Sequence, residues 1–235
     1  MAEAVGTALL VLAVVGSGIA ASRLTTDVGL QLLINAAATA GALIAIILAV
    51  GPVSGAHLNP VVTLADRVLG GLTTAEAGAY CAAQVAGGTV GAVLANVMFT
   101  LPAVQLSGHA RSSGALWTSE VVATFGLLLV IFGVVRSGRS AVAPFAVAAY
   151  IGGAYFFTSS TSFANPAVTL ARSLSDTFAG IAPSSVPAFV VAQVVGAGLA
   201  IALVRLLYPT IAHVAPDVVV PHPGSVQPNE TLVRD

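Results

Sequence analysis

Two Asn-Pro pairs stand in near-identical surroundings, Gly55-Ala-His-Leu-Asn59-Pro60-Val61-Val-Thr-Leu-Ala and Ser162-Phe-Ala-Asn165-Pro166-Ala167-Val-Thr-Leu-Ala. Their chemistry is hydrogen bonding rather than bond making. Asn is a preferred helix N-cap and Pro suits the first helical position, where its missing N–H would have no helical partner. If each Asn side-chain oxygen takes a backbone N–H, the NH₂ groups of Asn59 and Asn165 are left as donors for a polar solute. Each capped helix start also carries about +0.5 charge, which repels cations and leaves neutral molecules alone. Two acids in apolar surroundings, Glu3 and Glu120, need partners, because a buried intramembrane acid costs roughly 2.5–3.5 kcal/mol on insertion scales. The backbone N–H groups of Gly55–Leu58 and Thr161–Ala164 are the expected donors to them. The uncommitted carbonyls of the same two stretches would form a ladder of acceptors for a solute in file.

Catalysis finds little support. His57 is the only histidine near the two pairs and has no nucleophile or metal-ligand partner at a workable spacing. It is read as a loop-packing or vestibule residue. The single Cys81 excludes an internal disulfide and a multi-cysteine metal site, and is read as a small apolar residue buried in a helix. No metal and no cofactor is expected, and the chain is not read as an enzyme.

The elements that must hold these residues are membrane helices. Hydrophobic residues make up 57% of the 235 and charged residues 7%, with mean hydropathy +0.98, whereas soluble domains are about 25% charged. The chain has no lysine and a formal charge of -1, so no nucleic-acid partner is implied. By the length needed to cross a bilayer, six spans are expected at about 4–22, 30–50, 77–100, 116–135, 141–158 and 186–208. The first is read as a span rather than a secretory signal, since Met1-Ala2-Glu3 carries no basic residue. Two further apolar pieces, about 60–70 and 166–174, are too short: ten helical residues rise about 15 Å, half the hydrocarbon thickness. They are predicted to be half-helices entering from opposite faces and meeting midway.

Three spans lie between matching segments, and an odd number reverses orientation, so the repeat is inverted. Further landmarks agree: Glu3-x-x-x-Thr7 matches Glu120-x-x-x-Thr124, and Gln84-Val-Ala-Gly87 matches Gln193-Val-Val-Gly196. The fold expected is an all-α membrane protein, a channel unit over 1–208 with repeats at about 1–100 and 116–208. Residues 209–235, rich in proline, are expected to form a disordered tail; Asn229-Glu-Thr231 has glycosylation spacing but is given no function. Small residues crowd the spans, as at Gly87-Gly88, Gly152-Gly153 and Gly196-Ala-Gly198, which lets helices approach closely. With both termini on one side, Arg67, Arg136, Arg139 and Arg205 share it against Arg23, Arg111 and Arg172. The positive-inside rule then puts the termini in the cytoplasm.

On these motifs, together with Ala2-Glu3-x-x-Gly6-Thr7, Ser54-Gly-Ala-His-Leu-Asn59-Pro60 and Phe163-Ala-Asn165-Pro166-Ala167, residues 3–208 resemble the aquaporin and aquaglyceroporin family of membrane channels. The resemblance implies six transmembrane helices plus two re-entrant half-helices. It also implies a homotetramer in the cell membrane with a pore through each subunit, conducting water and small neutral solutes. The sequence departs from the family at two places. Val61 stands where Ala is usual. Val168 stands where the family has the arginine of its selectivity filter, and Arg172, one turn on, is not read as its replacement. Counting along the family pattern puts the other filter positions at Thr39, Gly153 and Ser162. That set is small, with no aromatic ring or fixed charge, and implies a wide filter. It resembles a bacterial aquaglyceroporin subgroup associated with arsenic resistance, which implies glycerol-like polyols, and arsenite or methylated arsenicals, as solutes. A strict water channel and an ion-coupled secondary transporter with inverted repeats are the alternatives.

Overall fold

Residues 1–208 are described by a computed structural model, and among them every regular element is helical. The expected tail and Asn229–Thr231 lie outside the described residues. The order is α1 (Ala2–Leu24), α2 (Val28–Ser54), α3 (Pro60–Leu69), α4 (Thr74–Met98), α5 (Gly114–Arg136), α6 (Ala143–Phe157), α7 (Pro166–Arg172) and α8 (Val186–Leu207). Short 3₁₀ turns at Ser140–Val142 and Pro183–Ser185 lead into α6 and α8. Six helical spans are long and apolar enough to cross a membrane, α6 only together with the 3₁₀ turn that leads into it (Ser140–Phe157). α3, of 10 residues, and α7, of 7, are not.

Local signals set the ends. Asp27 caps α2 by accepting from the Leu30 amide, and Thr73 with Glu76 forms a reciprocal capping box at the start of α4. α2 runs past the expected end at 50, through Pro52, to Ser54. Proline in a final turn forfeits a single intrahelical bond, and Gly55, in the left-handed region at φ 78°, then closes the helix.

Two helix pairs form the frame, α1 against α4 and α5 against α8. Gly87 and Gly91 of α4 lie so close to Ala4 and Ala8 of α1 that an added Cβ would land on the carbonyl oxygens of those alanines. Gly196 of α8 meets the Val121 carbonyl of α5 in the same way. Gly87 and Gly196 are the matched glycines of the two Gln-x-x-Gly motifs. Small residues thus set the interhelical distance where lipid offers no hydrophobic drive. Exposed leucines, valines and phenylalanines cover the outside, among them Leu48, Val90, Phe156, Val191 and Leu199. Cys81 is only half-buried on α4, contrary to the buried reading, because the buried face of that helix is taken by Ala77, Gln84, Gly87, Gly88 and Gly91.

Candidate functional site

The two loops that precede the short helices adopt the same unusual backbone. Ala56 and Leu58 lie in the left-handed region, three residues and one residue before Asn59; Ser162 and Ala164 do so at the same offsets before Asn165. Non-glycine residues in this region cost on the order of 1–3 kcal/mol each and persist only where surroundings over-determine them.

The acids supply that determination. Glu3 accepts from the His57 amide (3.1 Å) and the Leu58 amide (2.7 Å), and also from Ser54 Oγ (2.6 Å) and Gln84 Nε2 (2.7 Å). Glu120 accepts from the Phe163 amide (3.0 Å), the Ala164 amide (2.9 Å) and Gln193 Nε2 (2.6 Å). Both carboxylates are at most 3% exposed, and each ties an irregular loop to the α1/α4 or α5/α8 frame. Gln84 and Gln193 each give a second hydrogen, to Thr63 Oγ1 (3.0 Å) and Thr169 Oγ1 (2.8 Å). Those hydroxyls in turn donate to the Asn59 and Asn165 carbonyls, at 3.1 and 2.7 Å. Apart from the Ser54 bond to Glu3, every link exists twice, once per repeat. The sequence displayed Gln84, Gln193 and the two Val-Thr-Leu-Ala stretches as matched letters, but their joint role needed coordinates.

Asn59 Oδ1 accepts from the Val61 amide at 3.1 Å, and Asn165 Oδ1 from the Ala167 and Val168 amides at 3.0 and 3.2 Å. Pro60 and Pro166 follow as the first residues of α3 and α7. The side-chain NH₂ groups are not both wholly free, as the sequence reading had them. Asn59 Nδ2 donates to the Ala164 carbonyl (2.7 Å) and Asn165 Nδ2 to the Leu58 carbonyl (2.8 Å). The two half-helices are therefore stitched nose to nose by a reciprocal pair of bonds, each leaving one amide hydrogen for the lumen. The left-handed turn at Leu58 and Ala164 presents those carbonyls to the opposite asparagine.

A cavity of about 60 Å³ adjoins this junction, room for a short file of waters at roughly 10–15 Å³ each. Asn59, Asn165, Thr39, Ser162 and Val168 border it. Val61 and Ala167 are buried behind it at 1% exposure each, while the neighbouring Val62 faces it. The Ser162 hydroxyl has no hydrogen-bond partner among the described residues.

Gly153 is not brought to the cavity: it lies on the exposed side of α6. The wall is instead made by Val147, Ile151 and Tyr155, one residue per helical turn. Counting twelve residues back from Asn165 assumed a fixed connection between α6 and α7, and the helix rotation makes Tyr155 the residue that faces in. Its hydroxyl lies 3.1 Å from Thr39 Oγ1, joining α6 to α2 across the lumen wall. Arg172 also borders the cavity. The expectation of a lining without aromatic ring or charge is thus corrected at Tyr155 and Arg172. A tyrosine eight residues after Val147, with Ile151 between them, was the available sequence signal.

His57 faces the cavity as well. Its Nδ1 is 3.1 Å from Thr63 Oγ1, its ring is tilted against Tyr80 at 5.3 Å, and its Nε2 is 3.9 Å from Asp66 Oδ2. Asp66, a third buried acid, carries no repeat signal in the sequence, since Arg172 follows the matching Ala171 in the second repeat.

Comparison with known proteins gives a consistent result. The sequence profile of the major intrinsic protein family matches residues 1–162. Aquaglyceroporin AqpS of Rhizobium meliloti is 51% identical over 207 residues, covering 88% of this chain and 88% of the relative. A probable TIP-type aquaporin, RB7-5A of Nicotiana tabacum, is 33% identical over 161 residues, 65% of this chain and 64% of the relative. Probable aquaporin TIP2-2 of Oryza sativa subsp. japonica is 30% identical over 217 residues, 88% of this chain and 86% of the relative.

Proposed function

Because the chain belongs to the major intrinsic protein family, a family of multi-pass membrane channels rather than enzymes, we propose that its solute path runs past the Asn59/Asn165 junction, through the cavity bordered by Thr39, Tyr155, Ser162 and Val168. The protein is a passive channel for small solutes and water. The observation that carries the path is the reciprocal pair of bonds from Asn59 to Ala164 and from Asn165 to Leu58. It sets two amide donors and two capped helix starts around one small cavity. A neutral solute exchanges its hydration for the remaining amide hydrogens and loop carbonyls. A cation meets two positive helix ends and no carboxylate in the lining.

The proposed solutes are glycerol-like polyols together with water, and more narrowly neutral arsenite or methylated arsenicals, supported by Val168 in place of a bulky side chain and by the likeness to an aquaglyceroporin. Residues 1–208 act as one channel unit of two inverted repeats. The unit assembles as a homotetramer in the cell membrane, with lipid against its apolar exterior and both termini in the cytoplasm. A second reading, a strict water channel, draws on the small cavity and on Tyr155 bridging to Thr39.

Proteoliposome swelling with glycerol, urea and arsenite separates these readings, and water flux alone would leave only the second. Val168→Arg adds a long side chain at the cavity wall. It is expected to lower glycerol flux at least about tenfold while lowering water flux less, since flux past a constriction falls steeply with solute size. Equal flux ratios before and after the substitution would remove Val168 from the filter.

A further inference from the structure

The lining holds one guanidinium whose place in the fold gives it a task. Arg172 is the last residue of α7 and only 2% exposed, yet it borders the cavity one turn beyond Val168. Its Nε donates to the Ala179 carbonyl. Its guanidinium carbon sits 3.4 Å from the centroid of the Phe163 ring, close enough for the ring face to hold the cation. That ring is fixed in turn, edge-on against Phe189 at 5.2 Å between centroids. Arg111, from the segment between α4 and α5, lies 5.2 Å from the same ring and donates to the Gly180 carbonyl at 2.8 Å.

None of these partners is negative. Among the described residues, Arg172 forms no ion pair with a carboxylate within 4.0 Å, and the nearby acid Glu120 is occupied by amides. The terminal nitrogens of Arg172 make no hydrogen bond among the described residues and are not among the buried polar atoms lacking one, so they open onto the lumen. An arginine stays protonated in proteins. Its charge is thus clamped in orientation by a carbonyl and an aromatic face, left uncompensated, and directed at the path. Two arginines near one ring add to the positive field at that end of the cavity.

Resting on the channel reading above, we propose that Arg172 is the cation-excluding and solute-orienting residue of this pore, with Phe163 and the Ala179 carbonyl as its positioning partners. Sequence spacing hides this role, because Arg172 sits one helical turn from the expected filter position.

The test reads a ratio, the Na⁺ permeability over the water permeability of proteoliposomes bearing the full chain. Arg172→Gln is expected to raise that ratio about tenfold or more, since a unit charge within several ångströms acts strongly in a poorly screened channel. Arg172→Lys, which keeps the charge, is expected to stay within about twofold of the parent by the same reasoning. The double variant Val168→Arg with Arg172→Gln, which moves the charge back one turn, is expected to bring the ratio down again. If Arg172→Gln does not accumulate, Arg172→Met, with an unbranched apolar side chain suited to buried surroundings, reads the same ratio. A folded neutral variant whose ratio matches the parent overturns the inference, as does an Arg172→Lys ratio equal to that of Arg172→Gln. Parent vesicles that pass neither water nor glycerol would bring down the channel reading and this inference together; normal parent flux with unmoved ratios sinks only the role of Arg172.

Discussion

Glu120→Leu is expected to lose about 3–9 kcal/mol of stability and to accumulate poorly, because three buried donors, the Phe163 and Ala164 amides and Gln193 Nε2, lose their acceptor, each at about 1–3 kcal/mol. Leucine fills the volume and satisfies the helix, so the loss comes from the loop. With its amides unpaired, the loop keeps at Ser162 and Ala164 only the bond from the Ser162 amide to Ser160 Oγ and that from Asn59 to the Ala164 carbonyl, and that carbonyl moves. Glu120→Gln keeps one acceptor oxygen and should retain part of the stability. Glu3→Leu is expected to behave like Glu120→Leu or worse, since Glu3 has the additional donor Ser54. Unfolding midpoints in detergent, read beside flux per folded molecule, check this. A Glu120→Leu variant with the parent's midpoint would show that the carboxylate does not hold the loop.

Gly87→Val is expected to cost about 3 kcal/mol or more, at the upper end of what overpacking does, and to abolish flux. The obstacle is the Ala4 carbonyl, backbone rather than a flexible side chain, so α1 and α4 have to part. Parting them also draws Glu3 on α1 away from Gln84 on α4, a bond of 2.7 Å, and loosens the first loop from a distance. Gly91→Val meets the Ala8 carbonyl one turn later and should act similarly. Gly78→Ala on the same helix has nothing within 4 Å of the added carbon. It is expected to be neutral or stabilising by up to about 1 kcal/mol, the helix propensity difference. Equal midpoints for Gly87→Val and Gly78→Ala would mean that the close approach of the two helices does not matter.

Val168→Arg and Arg172→Gln concern selectivity, and their effects depend on which way side chains face. That is also where reading the sequence alone stopped. The expected Gly153 was placed by counting across a connection of unknown length, and a shift of two residues on a helix turns a side chain about 200°. Tyr155 therefore faces the lumen and Gly153 faces outward, although both lie on the predicted span. Arg172 lies one turn beyond the expected filter position along the chain. A long side chain spans about a turn, and Phe163 and Ala179 hold this one at the cavity's edge.

What the order of residues determined alone was everything carried by local preference or by repetition: six apolar spans, two short helices each opened by an Asn-Pro cap, buried acids with no cationic partner to explain them, and glycines where helices must touch. These follow from the bilayer's thickness, from capping, and from the cost of burying a charge, none of which requires knowledge of distant neighbours. The tertiary structure alone decided the cross-repeat bonds from Asn59 to Ala164 and from Asn165 to Leu58, the relay of Gln84 through Thr63 and of Gln193 through Thr169, and the lining by Tyr155 and Arg172. Each joins segments brought together only when the helices pack, and depends on helix rotation and loop length, to which hydropathy and spacing are blind.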